Sequence, residues 1–228
     1  MAGASSGRAF TPEIFRFLKE LKAHNDREWF QANKARFQRV AQAPMLAFIK
    51  DLGEQLRLIS PRFVADPRPS GGSMFRIYRD TRFSANKAPY KTWVAARFQH
   101  RAAANGTSVP GFYLRLSPDG STGGGGIYHP ETPALTAVRT RIVEKPREWR
   151  RVRKAVPDVQ GSSLKRAPAG FDADHPLVDD LKLKDFYVMQ RFTQRQVTAP
   201  DFLDRYVAAC RDASPLVQFL TRALRLPW

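Results

Sequence analysis

The sequence predicts an α+β fold, with helices at both ends of the chain and a central antiparallel or mixed sheet. Three observations carry this. Apolar residues recur at helical spacing up to about residue 60, the period shifts toward two between residues 75 and 127, and helical spacing returns beyond residue 130. Helices, then adjacent strands, then helices is the order of an α+β chain rather than of alternating βαβ units. The chain has 228 residues, 43% of them hydrophobic and 16 of them Phe, which suffices for a packed core. We expect a flexible small-residue tail over residues 1–9 and one domain over residues 10–228.

The first helix is expected in "FTPEIFRFLKEL". Thr11 is a candidate cap, Pro12 suits the first helical position, Phe10 can staple onto Phe15, and Ile14, Leu18 and Leu21 share a face. A second helix restarts at "HNDREWF", with Asn25 as N-cap and Glu28 in capping-box position, followed by Trp29, Phe30, Asn33 and Phe37. Pro44 is placed to open a third, in which Met45, Ile49, Leu52 and Leu56 form a stripe that Ser60-Pro61 ends. Residues 61–73 are rich in Pro, Gly and Ser and read as a loop.

"FRIYR" and "TWVAARFQH" then read as strands. "GFYLRLSPDGSTGGGGIYHP" reads as a hairpin turning at Pro-Asp-Gly, with Phe112, Leu114 and Leu116 on one face. Leu135, Val138 and Ile142 mark another helix, interrupted at Pro146 and resumed with Trp149 and Val152. Residues 157–176 read as a long irregular connection and "KDFYVMQRFT" as a late strand. Two closing helices are expected, opened by Pro200 and by Ser214-Pro215.

Lys and Arg number 38 against 21 Asp and Glu, a net charge of +17. Such a field attracts nucleic acid or phosphorylated small molecules, although an Arg-decorated surface serving only solubility has the same composition. The one cysteine, Cys210, excludes an internal disulfide, and its apolar helical setting with Tyr206 and Val207 predicts a buried, inert thiol. The first ten residues lack the apolar core of a signal peptide, and no run of about 18 apolar residues occurs. A cytoplasmic protein with no membrane partner is the expectation.

The segment richest in chemistry is "MFRIYRDTRFSANKAPYKTW", residues 74–93, where five cations face one carboxylate and aromatic residues lie between them. As a strand it turns Phe75 and Ile77 toward the core, leaving Arg76 and Tyr78 on the second face. Asp80 to Pro89 has the Asp, Ser, Asn and Pro of a structured loop, which would hold Arg79, Asp80, Arg82, Ser84, Lys87, Tyr90 and Lys91 at or beside it. Arg offers a planar fork of donors that matches phosphate, Lys a compact point charge, and aromatic faces can stack on a base or sugar. The plainer alternative is an exposed basic loop anchored by Phe83 and Tyr90.

Four consecutive glycines, Gly123 to Gly126, precede a helix start. Gly124 and Gly125, with His129 beyond them, either present backbone N–H groups to an anion or let neighbouring chain approach closely. No Lys-Ser/Thr follows, so this is not a P-loop, and the element order excludes a dinucleotide fingerprint. Histidines 24, 100, 129 and 175 lack metal-ligand spacing. "FDADHPLVDD" could gather carboxylates around a divalent ion, but an Asp cap and a His-Pro turn explain it more simply. The basic run 139–154 either extends an anionic footprint or forms a solvated face.

"FLKELKAHNDREWFQANKARF", "FRIYRDTRFSANKAPYKT" and "GFYLRLSPDGSTGGGGIYHPETPALTAVRTRI", in this order, resemble the DUF2461 family, as does "DHPLVDDLKLKDFYV". The family is widespread in bacteria and has fungal members. The resemblance implies one compact domain. It sets Trp29, Asn33, Arg76, Arg79, Asp80, Arg82, Lys87, Tyr90 and Lys91 on family-defining motifs, and it carries over no activity, cofactor or catalytic residue.

The functional expectation is a binding module. Its basic-aromatic loop and sheet face would grip a phosphate-bearing ligand, either a phosphorylated small molecule or nucleic acid. A second reading is a hydrolase-like enzyme with a pocket between the basic loop and the glycine hairpin. There Asp80 would act as base or orienter, Tyr90 or Lys87 as acid, with Ser84 and His129 beside them. A third is an interaction protein. No cofactor and no oligomeric state follow from the sequence.

Overall fold

The computed structural model describes residues 9–103 and 108–228. Residues 1–8 of the expected tail lie outside the described residues. Helix α1 spans Glu13–Ala23 and α2 Arg27–Phe37; a π-helical turn, Gln38–Gln42, joins α2 to α3, Ala43–Ile59. Strands β1, Val94–Gln99, β2, Gly111–Leu116, and β3, Ser121–Ile127, follow. Then come α4, Thr132–Glu144, α5, Pro146–Ala155, α6, Val178–Lys182, β4, Phe186–Phe192, α7, Gln194–Val197, and α8, Phe202–Ala223. The sheet is antiparallel throughout, in the order β1-β2-β3-β4. The chain is thus α+β, with N-terminal helices, a central antiparallel sheet and C-terminal helices.

One sheet face is apolar and carries the helices. Val94, Ala96, Phe98, Phe112, Leu114 and Leu116 all lie on it and are buried with Ile14, Leu18, Ile49 and Leu52 of α1 and α3. Helix α8 lies along this face against β2, β3 and β4. A second cluster, with Val138, Ile142, Trp149, Phe186 and Phe219 at its centre, sits where α4, α5 and α8 meet the end of the sheet.

Several local expectations are corrected. Asp26, not Asn25, caps α2, accepting from Trp29 N at 2.8 Å. Thr11 gives no side-chain cap to α1; its backbone carbonyl accepts from Ile14 N instead. Pro44 does stand in the first turn of α3, with Met45, Ile49, Leu52 and Leu56 buried, although a π turn carries the chain into it from α2 without a break. Pro215 opens no helix. It lies inside α8, and Ser214 Oγ turns back to the Cys210 carbonyl at 2.7 Å.

"FRIYR" is not a regular strand. It touches its neighbours through isolated bridges at Met74–Ala96 and Tyr78–Tyr90. Met74 and Ile77, three residues apart, are the buried pair, while Phe75 sits half-buried beside Arg97 on the opposite sheet face. The alternation breaks because the segment leaves the β1 edge after Phe75, whose N–H bonds the Ala95 carbonyl, and then pairs with its own return at Lys91.

The glycines on β3 serve close packing. A Cβ on Gly123 would meet the Tyr206 ring at 2.7 Å and one on Gly125 would meet Val217 at 2.7 Å, so α8 lies directly on the strand. On Gly124 and Gly126 it would meet the Val188 and Phe186 carbonyl oxygens of β4 at 2.0 and 2.2 Å.

Candidate functional site

Residues 77–91 fold back on themselves as a loop closed at its neck. Arg79 N bonds the Pro89 carbonyl and Lys91 N the Ile77 carbonyl, both at 2.8 Å. Within the loop, the Arg79 guanidinium donates to the Ala88 carbonyl at 3.1 Å and to Ser84 Oγ at 3.4 Å. Asn86 caps Ala88 N, and Lys87 Nζ reaches the Thr81 carbonyl at 3.0 Å. Asp80 takes Arg82 in a two-pronged pair, at 3.0 Å from Nε and 2.7 Å from Nη2.

The body of the protein grips this neck in two places. Asn25, freed from capping, donates to the Tyr90 carbonyl and accepts from Tyr90 N, each at 3.0 Å. The Tyr90 ring is 2% exposed and stacks on Phe30 with centroids 4.1 Å apart. Lys91 Nζ binds two carbonyls of the outgoing segment, Arg76 at 2.5 Å and Tyr78 at 2.8 Å. A rigid base therefore holds a tip that is open to solvent. Phe83 is 97% exposed and Tyr78 45%. Phe83 is no core anchor, and the Arg82 guanidinium lies 5.8 Å from its ring centroid.

The electrostatics follow from these partners. The Arg82 side chain, then its backbone N–H, lower the Asp80 carboxyl to about 2, so the pair is ionised at neutral pH. Burial lowers Lys91, with Arg76 adding repulsion, and burial raises Tyr90. These directions make Asp80 a weak base and Tyr90 a weak acid, whereas the surplus of cation over carboxylate suits holding an anion.

A cleft of about 590 Å³ opens at the foot of the loop. Arg79, Asp80, Tyr90 and Lys91 line it together with Asn25 and Trp93. Tyr78, Arg82, Ser84 and Lys87 of the same loop, and Arg76 just before it, are not in the cleft wall. Gly124, Gly125 and His129 are not in that wall either. The two glycines are packed between β4 and α8. His129, at a left-handed φ of 47°, gives its backbone N–H to Asp185, whose carboxylate also takes Ser162 Oγ at 2.6 Å. Burial would raise the Asp185 carboxyl, but the hydrogen bonds from Ser162 and His129 outweigh it and hold it low. This knot ties the β3 exit, the residue 160 segment and the start of β4.

Sequence reasoning missed the outer face of the sheet. Paired register places Arg97, Tyr113, Gly124 and Met189 in one row and Ala95, Arg115, Thr122 and Arg191 in the next. Arg97 also lies 5.7 Å from the Phe75 ring, and Trp93 has Lys91 Nζ at 5.5 Å and the Arg115 guanidinium at 5.4 Å. The signal was present: Arg97, Tyr113 and Arg115 are the polar or amphipathic members of alternations whose other members are core.

The basic run 139–154 is divided between uses. Arg139 is 7% exposed and donates to the Leu183 carbonyl. Arg141 and Arg222 both hold Glu148, at 2.8 and 3.4 Å, in the wall of a cavity of about 880 Å³ between α4, α5 and α8. In "FDADHPLVDD", Asp172 accepts from Asp174 N and His175 Nδ1 from Leu177 N, a turn leading into α6. Among the described residues, no group of three His, Cys, Asp or Glu could hold a metal ion, and no helix is long and apolar enough to cross a membrane.

A family model described as "Conserved hypothetical protein (DUF2461)" matches residues 13–219. No curated protein and no solved structure matches the chain.

Proposed function

The chain belongs to the DUF2461 family, and from the loop geometry we propose that it binds a phosphate-bearing anionic ligand at the 76–91 loop. The observation that carries this reading is the tip, where the Arg82 guanidinium lies 5.8 Å from the ring centroid of a 97% exposed Phe83 on a braced frame. An exposed aromatic face beside an arginine fork offers a surface on which a base or sugar can stack while the fork holds a phosphate.

The internal bonds leave donors unused. Arg82 gives Nε and Nη2 to Asp80, keeping the Nη1 hydrogens for another acceptor. Its side chain is 76% exposed. Among the described residues Lys87 has one acceptor, the Thr81 carbonyl, for its three hydrogens. Among the described residues no hydrogen bond or ion pair engages the Arg76 guanidinium. Phosphate oxygens would accept from these groups while Phe83 or Tyr78 covers an attached base or sugar.

The test is a titration of inorganic triphosphate, and of a fluorescein-labelled oligonucleotide, into the wild type and the Arg82→Ala/Lys87→Ala double variant at low and moderate salt. We expect the double variant to bind both about tenfold more weakly and the wild type to lose affinity steeply with salt. Absence of wild-type binding, or equal binding by the variant, would overturn the proposal.

A further inference from the structure

We infer that the outer face of the sheet is a track for single-stranded nucleic acid, continuous with the loop; this rests on the reading of the loop as a phosphate grip. Arg97, Arg115 and Arg191 project from β1, β2 and β4 on that face. None of the three is in an ion pair among the described residues, whereas Arg36, Arg82 and Arg141, on helices and loops, each hold a carboxylate. Arg115 Nε is shut from solvent with no acceptor. The face is therefore positive with nothing in the protein to neutralise it, and its complement is an anion.

The anion is extended rather than compact. Neighbouring strands lie about 4.8 Å apart, so Arg115 on β2 and Arg191 on β4 stand roughly 10 Å apart, farther than one phosphate group spans. Trp93 joins this face to the loop cleft, since it lines the cleft and has Lys91 and Arg115 near its ring. Cations thus run from the loop, past Trp93, across three strands.

The polymer is single-stranded because aromatic and sulfur-bearing side chains alternate with the cations. Tyr113, half-buried, lies between Arg97 and Gly124 in its row, with Met189 beyond. Phe75 and Trp93 flank the β1 end. Splayed bases can lie on such a surface, whereas a duplex would offer it phosphates alone. Gly111, Gly124 and Gly126 add no side chains to the face and keep its middle low.

The experiment uses the full chain and a labelled single strand of about 20 nucleotides, as RNA and as DNA, with duplex, inorganic triphosphate and long-chain polyphosphate as comparison probes. Arg97→Ala/Arg191→Ala removes two exposed cations and should leave the far-UV circular dichroism and thermal midpoint unchanged. We expect this variant to bind the single strand about tenfold more weakly, with the salt slope shallower by about 1.4, while its triphosphate affinity stays that of the wild type. Arg97→Lys/Arg191→Lys should restore most of the slope.

Unchanged single-strand affinity in the alanine variant overturns the track, and leaves the loop standing if triphosphate binding still depends on Arg82 and Lys87. Duplex or polyphosphate binding as tight as the single strand also overturns it. Single-strand binding that responds to the sheet substitutions but not to the loop pair supports a track confined to the sheet and overturns both the loop reading and the continuity between them.

Discussion

Asn25 and Tyr90 lie 65 residues apart, yet the Asn25 amide satisfies both backbone groups of Tyr90. That pair of bonds is what fixes the neck of the basic loop to the start of α2, and Phe30 stacking completes the seat. In Asn25→Ala the Tyr90 N–H and carbonyl lose partners in a half-buried place, so stability should fall by about 1–3 kcal/mol. Urea denaturation measures the loss, and hydrogen exchange should show residues 76–91 opening more than α8. A variant as stable as wild type with an unchanged exchange pattern would contradict this role. The sequence could not have assigned it. Asn25 and Asp26 are adjacent and both are good caps, so local pattern cannot rank them, and the remote partner that decides the matter is not a local signal. Phe83 is the reverse case. An aromatic in a loop reads as an anchor by type, and of the two anchors expected from the sequence, Phe83 and Tyr90, only Tyr90 is buried.

At the scale of elements, β3 is a strand built without side chains where its neighbours come closest. The alternation of β1 and β2 made both legible, because Val94, Ala96, Phe98, Phe112, Leu114 and Leu116 supply a clear apolar face. The glycine run has no such pattern and left two readings open until α8 and β4 were placed against it. Its positions are not equivalent. At Gly123 a methyl group meets the buried rings of Tyr206 and Phe192, at 2.7 and 3.0 Å, which must repack; at Gly124 it meets backbone, the Val188 carbonyl oxygen at 2.0 Å, which no side-chain rearrangement relieves. Gly124→Ala should therefore cost about 3 kcal/mol or more, by parting β3 from β4, and Gly123→Ala less. Thermal melts of the two variants give the order, and a Gly124→Ala protein as stable as Gly123→Ala would refute it. The loss of strand character in "FRIYR" also belongs to this scale. Its composition suits a strand, but its hydrogen-bond partners after Phe75 are its own returning chain.

For the molecule as a whole, α8 and β4 are elements that both hydrophobic clusters share, with α8 the longer of the two. The first half of α8 gives Phe202, Tyr206, Cys210 and Ala213 to the cluster under the sheet; from its second half Val217 joins that cluster too, while Leu216, Phe219 and Leu220 go to the cluster beneath α4 and α5. Val188 of β4 packs against both. Pro215 falls at the junction, yet the helix runs through it. Neither cluster can lose its packing without removing one half of a continuous helix from its support, so we expect the two to unfold as one cooperative unit. The chain supplies a probe for each side. Cys210 is fully buried in the first cluster, with its thiol pushed up to about 12 chiefly by burial, so it should react with a thiol reagent only on unfolding. In the second cluster Trp149 Nε1 donates to Asp180 at 2.8 Å, a bond whose indole N–H resonance reports local order. Across a urea series the midpoints for Cys210 labelling and for loss of the Trp149 signal should coincide. Two separated midpoints would mean that α8 breaks near Pro215 and that the cluster beneath α4 and α5 folds by itself, which would place the cavity around Glu148 on a body independent of the basic loop.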